Sequence, residues 1–237
     1  MRFYNEDCID RLAKMESDGE RVDIVFTSPP YNRLKNDVYK NYVDKLSDED
    51  YYNLLVNFTE KCLAISNRNV IVNLQETFYN REIINKYIGH FFDRMVHKII
   101  WVKTNPRPVA NHNEEGYCMI NAYEFFFVLR QNGNVLKSNA KYLKNVIYSN
   151  VNSENEYKDV HSAVMKQDIA DWFIKNFSKK GETVLDPFMG LGTTGVSCKK
   201  FERDFVGIEL NKEYFELAKK RISNTDKPSK ELADFFI

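Results

Sequence analysis

The chain has 237 residues, enough for a sizeable core in one large α/β domain or two small ones. Its 34 Lys+Arg balance 34 Asp+Glu, so no global field advertises a polyanionic partner, and any nucleic-acid surface must be a local patch. Aromatics reach 14% while Gly (9) and Pro (6) are scarce, which excludes a linker-like or disordered chain.

The opening MRFYNEDCIDRLAKM reads as a short strand, a turn at Asn5 to Asp7, and a helix with Ile9, Leu12 and Ala13 on one face. It has no apolar signal-like core, and no apolar run approaches the roughly 18 residues of a membrane span, so a soluble cytoplasmic protein with no membrane partner is expected. Cys8, Cys62, Cys118 and Cys198 show no metal-binding spacing, and reduced, mostly buried thiols are expected, with no metal site.

VDIVFTSPPYN (22–32) starts as a buried strand over 22–26 and then presents a hydroxyl, two prolines and a tyrosine, a polar atom and a ring on a stiff turn. Residues 33–50 are polar and tyrosine-rich and read as a loop able to order over a ligand. A helix over 51–66 and a strand over 69–74 follow. YNREIINKYIGHFF and MVHKIIWVK repeat the helix–strand alternation, and YEFFFVLR (123–130) is a further strand. Such alternation implies a largely parallel sheet with helices on both faces. From 131 to 160 the texture turns to Asn, Ser and Lys, which reads as an inserted, weakly structured region with local positive charge at Lys137, Lys141 and Lys144, or as a solvated loop. An amphipathic helix within 162–180 follows it.

ETVLDPFMGLGTTGVSCKK then reads as a strand (183–185), a glycine turn, and a helix from about Thr193. Gly190, Gly192 and Gly195 satisfy GxGxxG, and the next strand, DFVGIEL, ends in Glu209, about where a ribose-binding carboxylate belongs in a nucleotide-binding βαβ unit. A purely structural turn is the competing explanation. Asp186, directly after the first strand, would repel a pyrophosphate and attract an ammonium or sulfonium group, which favours S-adenosylmethionine over NAD. Only 27 residues follow Leu210, room for the helix NKEYFELAKKRIS and a tail. Since two strands make no stable sheet, this unit must join strands from residues 1–130.

TSPPY upstream, LDPFMGLGTTG downstream and FVGIEL after it resemble the circularly permuted, β-class DNA amino-methyltransferases that modify cytosine N4 or adenine N6; YNEDCIDRL, YEFFFVLR and HSAVMKQDIADWFIKNF extend the resemblance over nearly the whole chain. It implies a Rossmann-like class I methyltransferase α/β sheet, with residues 1–130 as the catalytic half, 131–160 as a target-recognition insertion and 161–237 as the cofactor-binding half. It further implies that the Ser28 hydroxyl and Pro29 carbonyl accept N–H bonds from the target amino group, that Pro29 and Pro30 stiffen the turn, and that Tyr31 stacks on a flipped base. Asp186, Pro187, Phe188, Gly190, Gly192 and Thr193 would surround the methionine part of S-adenosylmethionine, Glu209 and Leu210 the ribose, and Asp7 and Cys8 the adenine. His161 would begin the segment closing over the methionine end, unless it is merely structural, and Asp7 could equally be a helix N-cap.

Serine in the tetrapeptide and the HSAV segment resemble the cytosine N4 group, with adenine N6 as the alternative; Lys166 stands where that segment would carry proline. None of the cysteines follows a proline, which disfavours ring-carbon methylation. Arg33, Lys35, Lys103, Arg107, Lys137, Lys141 and Lys144 are the candidate phosphate contacts on double-stranded DNA, and Asn111, His112 and Asn113 could reach base edges. A homodimer and a cognate restriction endonuclease are further partners of such enzymes. An NAD-dependent oxidoreductase would leave Ser-Pro-Pro-Tyr and Asp186 unexplained. A non-catalytic DNA-binding module would have no use for an intact Asp186, Glu209 and Tyr31 but stays open through the departure at Lys166, and an RNA or small-molecule methyltransferase is a further alternative, since the clamp fits any amino group on a planar ring.

Overall fold

The computed structural model describes residues 1–32, 46–106, 121–132, 138–151 and 164–226, together with the backbone of Lys35–Tyr39 and Tyr42–Asp44. Short runs rich in β-branched and aromatic residues form strands β1 (Arg2–Tyr4), β2 (Ile24–Thr27), β5 (Val70–Leu74), β6 (Met95–Lys103), β7 (Tyr123–Leu129), β8 (Val146–Ser149), β9 (Thr183–Asp186) and β10 (Asp204–Ile208) in one eight-stranded sheet of order β1-β10-β9-β2-β5-β7-β6-β8. Every neighbouring pair is parallel except the two made by β7, which runs antiparallel to β5 and β6.

The two faces are covered by different helices. Val25, Val72, Leu185 and Val206 point to the face packed by α1 (Cys8–Ser17), α2 (Asp48–Ile65) and α3 (Arg81–His90), while Ile24, Phe26, Ile71 and Val184 point to the face packed by α4 (Gln167–Phe177), α5 (Thr193–Lys200) and α6 (Lys212–Ser223). Phe173 of α4 stacks on Phe26 at 4.8 Å and meets Phe126 at 4.2 Å, so one helix pins β2 to β7. The chain order explains the permutation: β9 and β10, the last strands, insert between β1 and β2, the first two. As the short C-terminal unit required, the glycine-loop strands borrow their sheet from the N-terminal half.

Three expectations change. Within 33–50 the backbone forms an antiparallel hairpin, β3 (Lys35–Tyr39) and β4 (Tyr42–Asp44), rather than a plain loop. Within 131–160, Val146–Ser149 is no loose insertion but the edge strand β8, parallel to β6, with Trp101 Nε1 donating to the Ser149 carbonyl at 3.3 Å. In α1 the buried face is Cys8, Leu12 and Met15, with Ala13 to one side. Lys166, standing in for the expected proline, is the N-cap residue of α4; its ammonium reaches Ser149 Oγ (2.9 Å), Asn150 Oδ1 and Asp168 (2.9 Å), tying the end of β8 to α4.

Candidate active site

The carboxyl ends of β2, β9 and β10 face a common crevice, the place where open α/β sheets bind ligands. A cavity of about 480 Å³ lies there, within the size range of small-molecule sites. Its wall joins Asp7, Cys8, Ser28, Pro30 and Tyr31 from the N-terminal half to Asp186, Phe188, Gly190, Thr193, Glu209 and Leu210 from the C-terminal half.

Asp186 ends β9 and is buried. Its Oδ1 accepts from Thr27 Oγ1 at 2.7 Å and from Phe188 N at 3.1 Å, and its Oδ2 accepts from Thr194 Oγ1 at 2.6 Å. Burial pushes its carboxyl up to about 6, with the Thr194 and Thr27 hydroxyls and the Phe188 amide pulling the other way. At pH 7 it therefore remains a carboxylate, held at a cost. Glu209, just past β10, accepts from Gly190 N and Asn211 N, both at 2.8 Å and one on each oxygen; burial raises its carboxyl too. Each of its oxygens keeps a lone pair for a hydroxyl.

Gly190 (φ 52°) and Gly192 (φ 78°) make the turn between β9 and α5 in the left-handed region. Their roles differ. Gly190 lies on the cavity wall, whereas a Cβ on Gly192 would meet Ile222 Cδ1 at 2.9 Å, and one on Gly195 would meet it at 2.3 Å and Phe205 Cε1 at 2.9 Å. Gly192 and Gly195 thus let α5 close on α6 and β10, between wall residues Leu191 and Thr193 in the case of Gly192. Arg221 of α6 braces the same loop, donating to the Leu191 carbonyl and Thr193 Oγ1, both at 3.1 Å.

Asp7 is the N-cap of α1, its Oδ1 accepting from Ile9 N (2.8 Å) and Asp10 N (3.3 Å), and it also lines the cavity. The Cys8 thiol is pushed up to about 12, first by burial and then by the Asp7 charge, so it is inert. Phe188 packs edge-on against Phe58 of α2 at 5.0 Å, while Leu210 is exposed. Pro187 is buried and lines the cavity beside Asp186 and Phe188.

The Ser-Pro-Pro-Tyr turn rests on a polar network that the sequence did not announce. Asn73 Oδ1, from β5, receives the Tyr31 hydroxyl at 2.6 Å and the Ser28 hydroxyl at 3.1 Å; Ser28 Oγ and Tyr31 Oη are 3.0 Å apart. Tyr31 also reaches Glu124 Oε2 at 3.1 Å, and Glu124 Oε1 pairs with Lys103 Nζ at 2.8 Å, both side chains being more than nine-tenths buried. Asn80 Nδ2 donates to the Tyr31 carbonyl at 2.7 Å. Lys103 is therefore no phosphate contact: its ammonium is spent on a buried carboxylate behind the tyrosine. Pro29 is buried and not on the cavity wall, which Ser28 and Pro30 form. Lys141 and Lys144 are exposed just before β8, with the Lys141 ammonium over the Tyr142 ring. Arg33, Arg107, Lys137 and His161, with Asn111, His112, Asn113 and Cys118, lie outside the described residues, as does the side chain of Lys35. Among the described residues, no helix is long and apolar enough to cross a membrane, and no group of three His, Cys, Asp or Glu could hold a metal ion.

Sequence signals for the missed residues were weak: Thr27 and Thr194 adjoin motif letters, but Asn73, Asn80 and Glu124 lie in or near apolar strands and carry no spacing of their own. A doubly covered, mainly parallel sheet whose late strands insert among its early ones, with both acids and Ser28, Pro30 and Tyr31 of the stiff turn on one cavity, defines a permuted Rossmann-like methyltransferase. Residues 22–220 match the N6/N4 DNA methylase family model, and the chain belongs to that family: it is a site-specific DNA methyltransferase of the N4/N6 type.

The chain is 25% identical to the type II methyltransferase M2.DpnII of Streptococcus pneumoniae over 94% of this chain and 89% of that protein. It is similar in structure to M1.HpyAVI in complex with SAM (25% identity, TM-score 0.64, covering 93% of this chain and 98% of that one). The cytosine-N4-specific PvuII DNA methyltransferase shares the fold at 18% identity and TM-score 0.75, covering 98% of this chain and 89% of that one.

Proposed function

We propose that this protein transfers the methyl group of S-adenosylmethionine to the exocyclic N4 of a cytosine turned out of duplex DNA. The observation that carries the reading is that Ser28 and Tyr31 share one cavity with Asp186 and Glu209, although the chain separates the two pairs by most of its length. S-Adenosylmethionine is the cofactor, and when bound it supplies an electrophilic methyl group on a sulfonium centre. Asp186 offers negative charge to the cationic methionine end, Glu209 offers free lone pairs to the ribose hydroxyls, and Asp7 Oδ2, unused by the helix cap, is available to the adenine amino group.

An exocyclic amino group is a poor nucleophile because its lone pair is delocalised into the ring. An acceptor on its N–H favours the pyramidal form and frees the pair. Ser28 suits that task because its single proton already has acceptors inside the protein, Asn73 Oδ1 and Tyr31 Oη, so its own lone pairs remain for the substrate. Thr27 adds a mechanical link: its hydroxyl bonds Asp186 directly, so the strand carrying the clamp and the strand carrying the cofactor acid move together. The serine in the tetrapeptide supports cytosine. The 131–160 region, with exposed Lys141 and Lys144, is read as part of the target-recognition surface, and a cognate endonuclease and a second copy of the chain as partners.

The test is incubation with methyl-labelled S-adenosylmethionine and unmodified genomic DNA, followed by nucleoside digestion and mass spectrometry. N4-methylcytosine is expected. N6-methyladenine would overturn the choice of base while keeping the clamp, and unlabelled DNA in the presence of measurable cofactor binding would overturn DNA as this protein's substrate.

A further inference from the structure

Phe78 and Tyr79 stand on the turn that leaves β5, with 73% and 59% of their surfaces exposed. Their rings meet edge to face at 5.7 Å, and the Arg81 guanidinium lies 4.7 Å from the centre of the Phe78 ring. Single exposed apolar side chains are ordinary. Here two adjacent rings and a cation are held on a braced support.

The brace is Asn80, which is 1% exposed. Its Oδ1 accepts from Thr77 N at 2.7 Å and Thr77 Oγ1 at 3.0 Å; its Nδ2 donates to the Gln75 carbonyl at 3.0 Å and the Tyr31 carbonyl at 2.7 Å. Asn121 Nδ2 adds a bond to the Glu76 carbonyl at 2.5 Å. Since β5 runs parallel beside β2, the turn emerges at the same sheet edge as the Ser-Pro-Pro-Tyr turn and is bonded to it through one buried side chain. The aromatic tip therefore has a fixed position relative to the clamp.

We propose that the Phe78–Tyr79 tip is the wedge that fills the space vacated when the target base leaves the duplex, with Arg81 against a flanking phosphate. This rests on the reading that a base is extruded into the cavity. Extrusion leaves a gap between two flat apolar surfaces, and a planar side chain entering it recovers stacking that the departed base gave up. A guanidinium beside the ring suits the charge of the backbone on either side of that gap. A tip loosely attached to the enzyme could not couple its insertion to capture of the base, whereas one bonded to the Tyr31 carbonyl can.

The test uses the full chain and oligonucleotide duplexes carrying the site mapped on methylated genomic DNA, with the target base opposite either its normal partner or an abasic position. The double variant Phe78→Ala/Tyr79→Ala should bind S-adenosylmethionine as the wild type does. Its single-turnover rate on the paired duplex should fall by roughly 10- to 100-fold, part of the cost of unpairing and unstacking one base. On the abasic-partner duplex, where that cost is already lowered, it should return to within about threefold of wild type. Tyr79→Phe, which keeps the ring, should behave as wild type. Equal losses on both duplexes, or no loss on either, would overturn the wedge, as would a changed oligomeric state with an unchanged rate on the paired duplex, which would make the tip a protein contact. If the wild type methylates neither duplex, the underlying reading fails first, and visibly so.

Discussion

Replacing Asp186 by Asn separates what this residue does for binding from what it costs the fold. Its carboxyl is raised from 3.8 to about 6 by burial, so the folded protein holds this proton more tightly than the unfolded chain. Stability is therefore lost as pH rises through the window from 3.8 to about 6 and stays lost above it. At about 1.4 kcal/mol per pH unit the full cost at pH 7 is about 3 kcal/mol, of which about 2 kcal/mol develops between pH 4.5 and 7. An amide carries no such cost. Its oxygen can keep Thr27 and Phe188, but its nitrogen then faces the Thr194 hydroxyl, which must turn to accept, and a poorly satisfied N–H takes back about 1–3 kcal/mol. The variant should thus unfold in the absence of cofactor at or a few degrees above the wild-type Tm at pH 7, and fall below it at pH 4.5. Cofactor affinity, measured by titration calorimetry, should drop about 100-fold or more with the loss of the charge. A difference in Tm between the two proteins that does not change across this pH range would refute the burial argument, and retained affinity would refute the placement of the methionine end.

Tyr31→Phe keeps the buried ring but removes the hydroxyl that joins Ser28, Asn73 and Glu124; turnover should fall about tenfold with cofactor affinity unchanged, and equal losses in both would contradict the division of roles. Tyr31→Ala is a poorer probe, because emptying a site only 7% exposed should cost about 3–5 kcal/mol in denaturant titration before any effect on chemistry is read. Gly195→Ala puts a methyl 2.3 Å from Ile222 Cδ1 and should destabilise by about 1–3 kcal/mol, with Ile222→Val, which removes that atom, recovering part of the loss in the same melt. Lys103→Met leaves Glu124 buried without its partner and should cost about 3–5 kcal/mol, whereas the double change with Glu124→Gln should cost less; equal costs would mean the pair is not coupled. Lys144→Ala, at an exposed position, should lower the salt dependence of DNA binding by about one contact with little change in stability.

Much of the fold is legible because the signals are local. The continuous apolar runs of β2, β5, β6 and β7 and the amphipathic stretch within α4 announce themselves in short windows, and the glycine turn does so because positive φ at Gly190 and Gly192 is a backbone demand that few residues meet. The β3–β4 hairpin escapes because KNDVY and YVD are short and mostly polar in sequence, and β8 because four residues at the sheet edge, among polar neighbours, are too few to carry a pattern. Lys103 misleads for the opposite reason: a lysine beside a Pro-rich segment reads as surface, and only the antiparallel register of β6 on β7 brings Glu124 within 2.8 Å of it.

The site divides along the same line. The identity of its chemistry, an acid after a strand, a glycine turn, a spaced second acid and a stiff Ser-Pro-Pro-Tyr, is written in adjacent letters and was determined by the sequence alone. Which atoms meet was not. Thr27 bonds Asp186 across 159 residues of chain and Tyr31 reaches Glu124 across 93, contacts that exist only because β9 inserts beside β2 and β7 returns antiparallel beside β5. Local backbone chemistry can be read one residue after another; the sharing of a proton between distant side chains depends on strand order, which the tertiary structure decides.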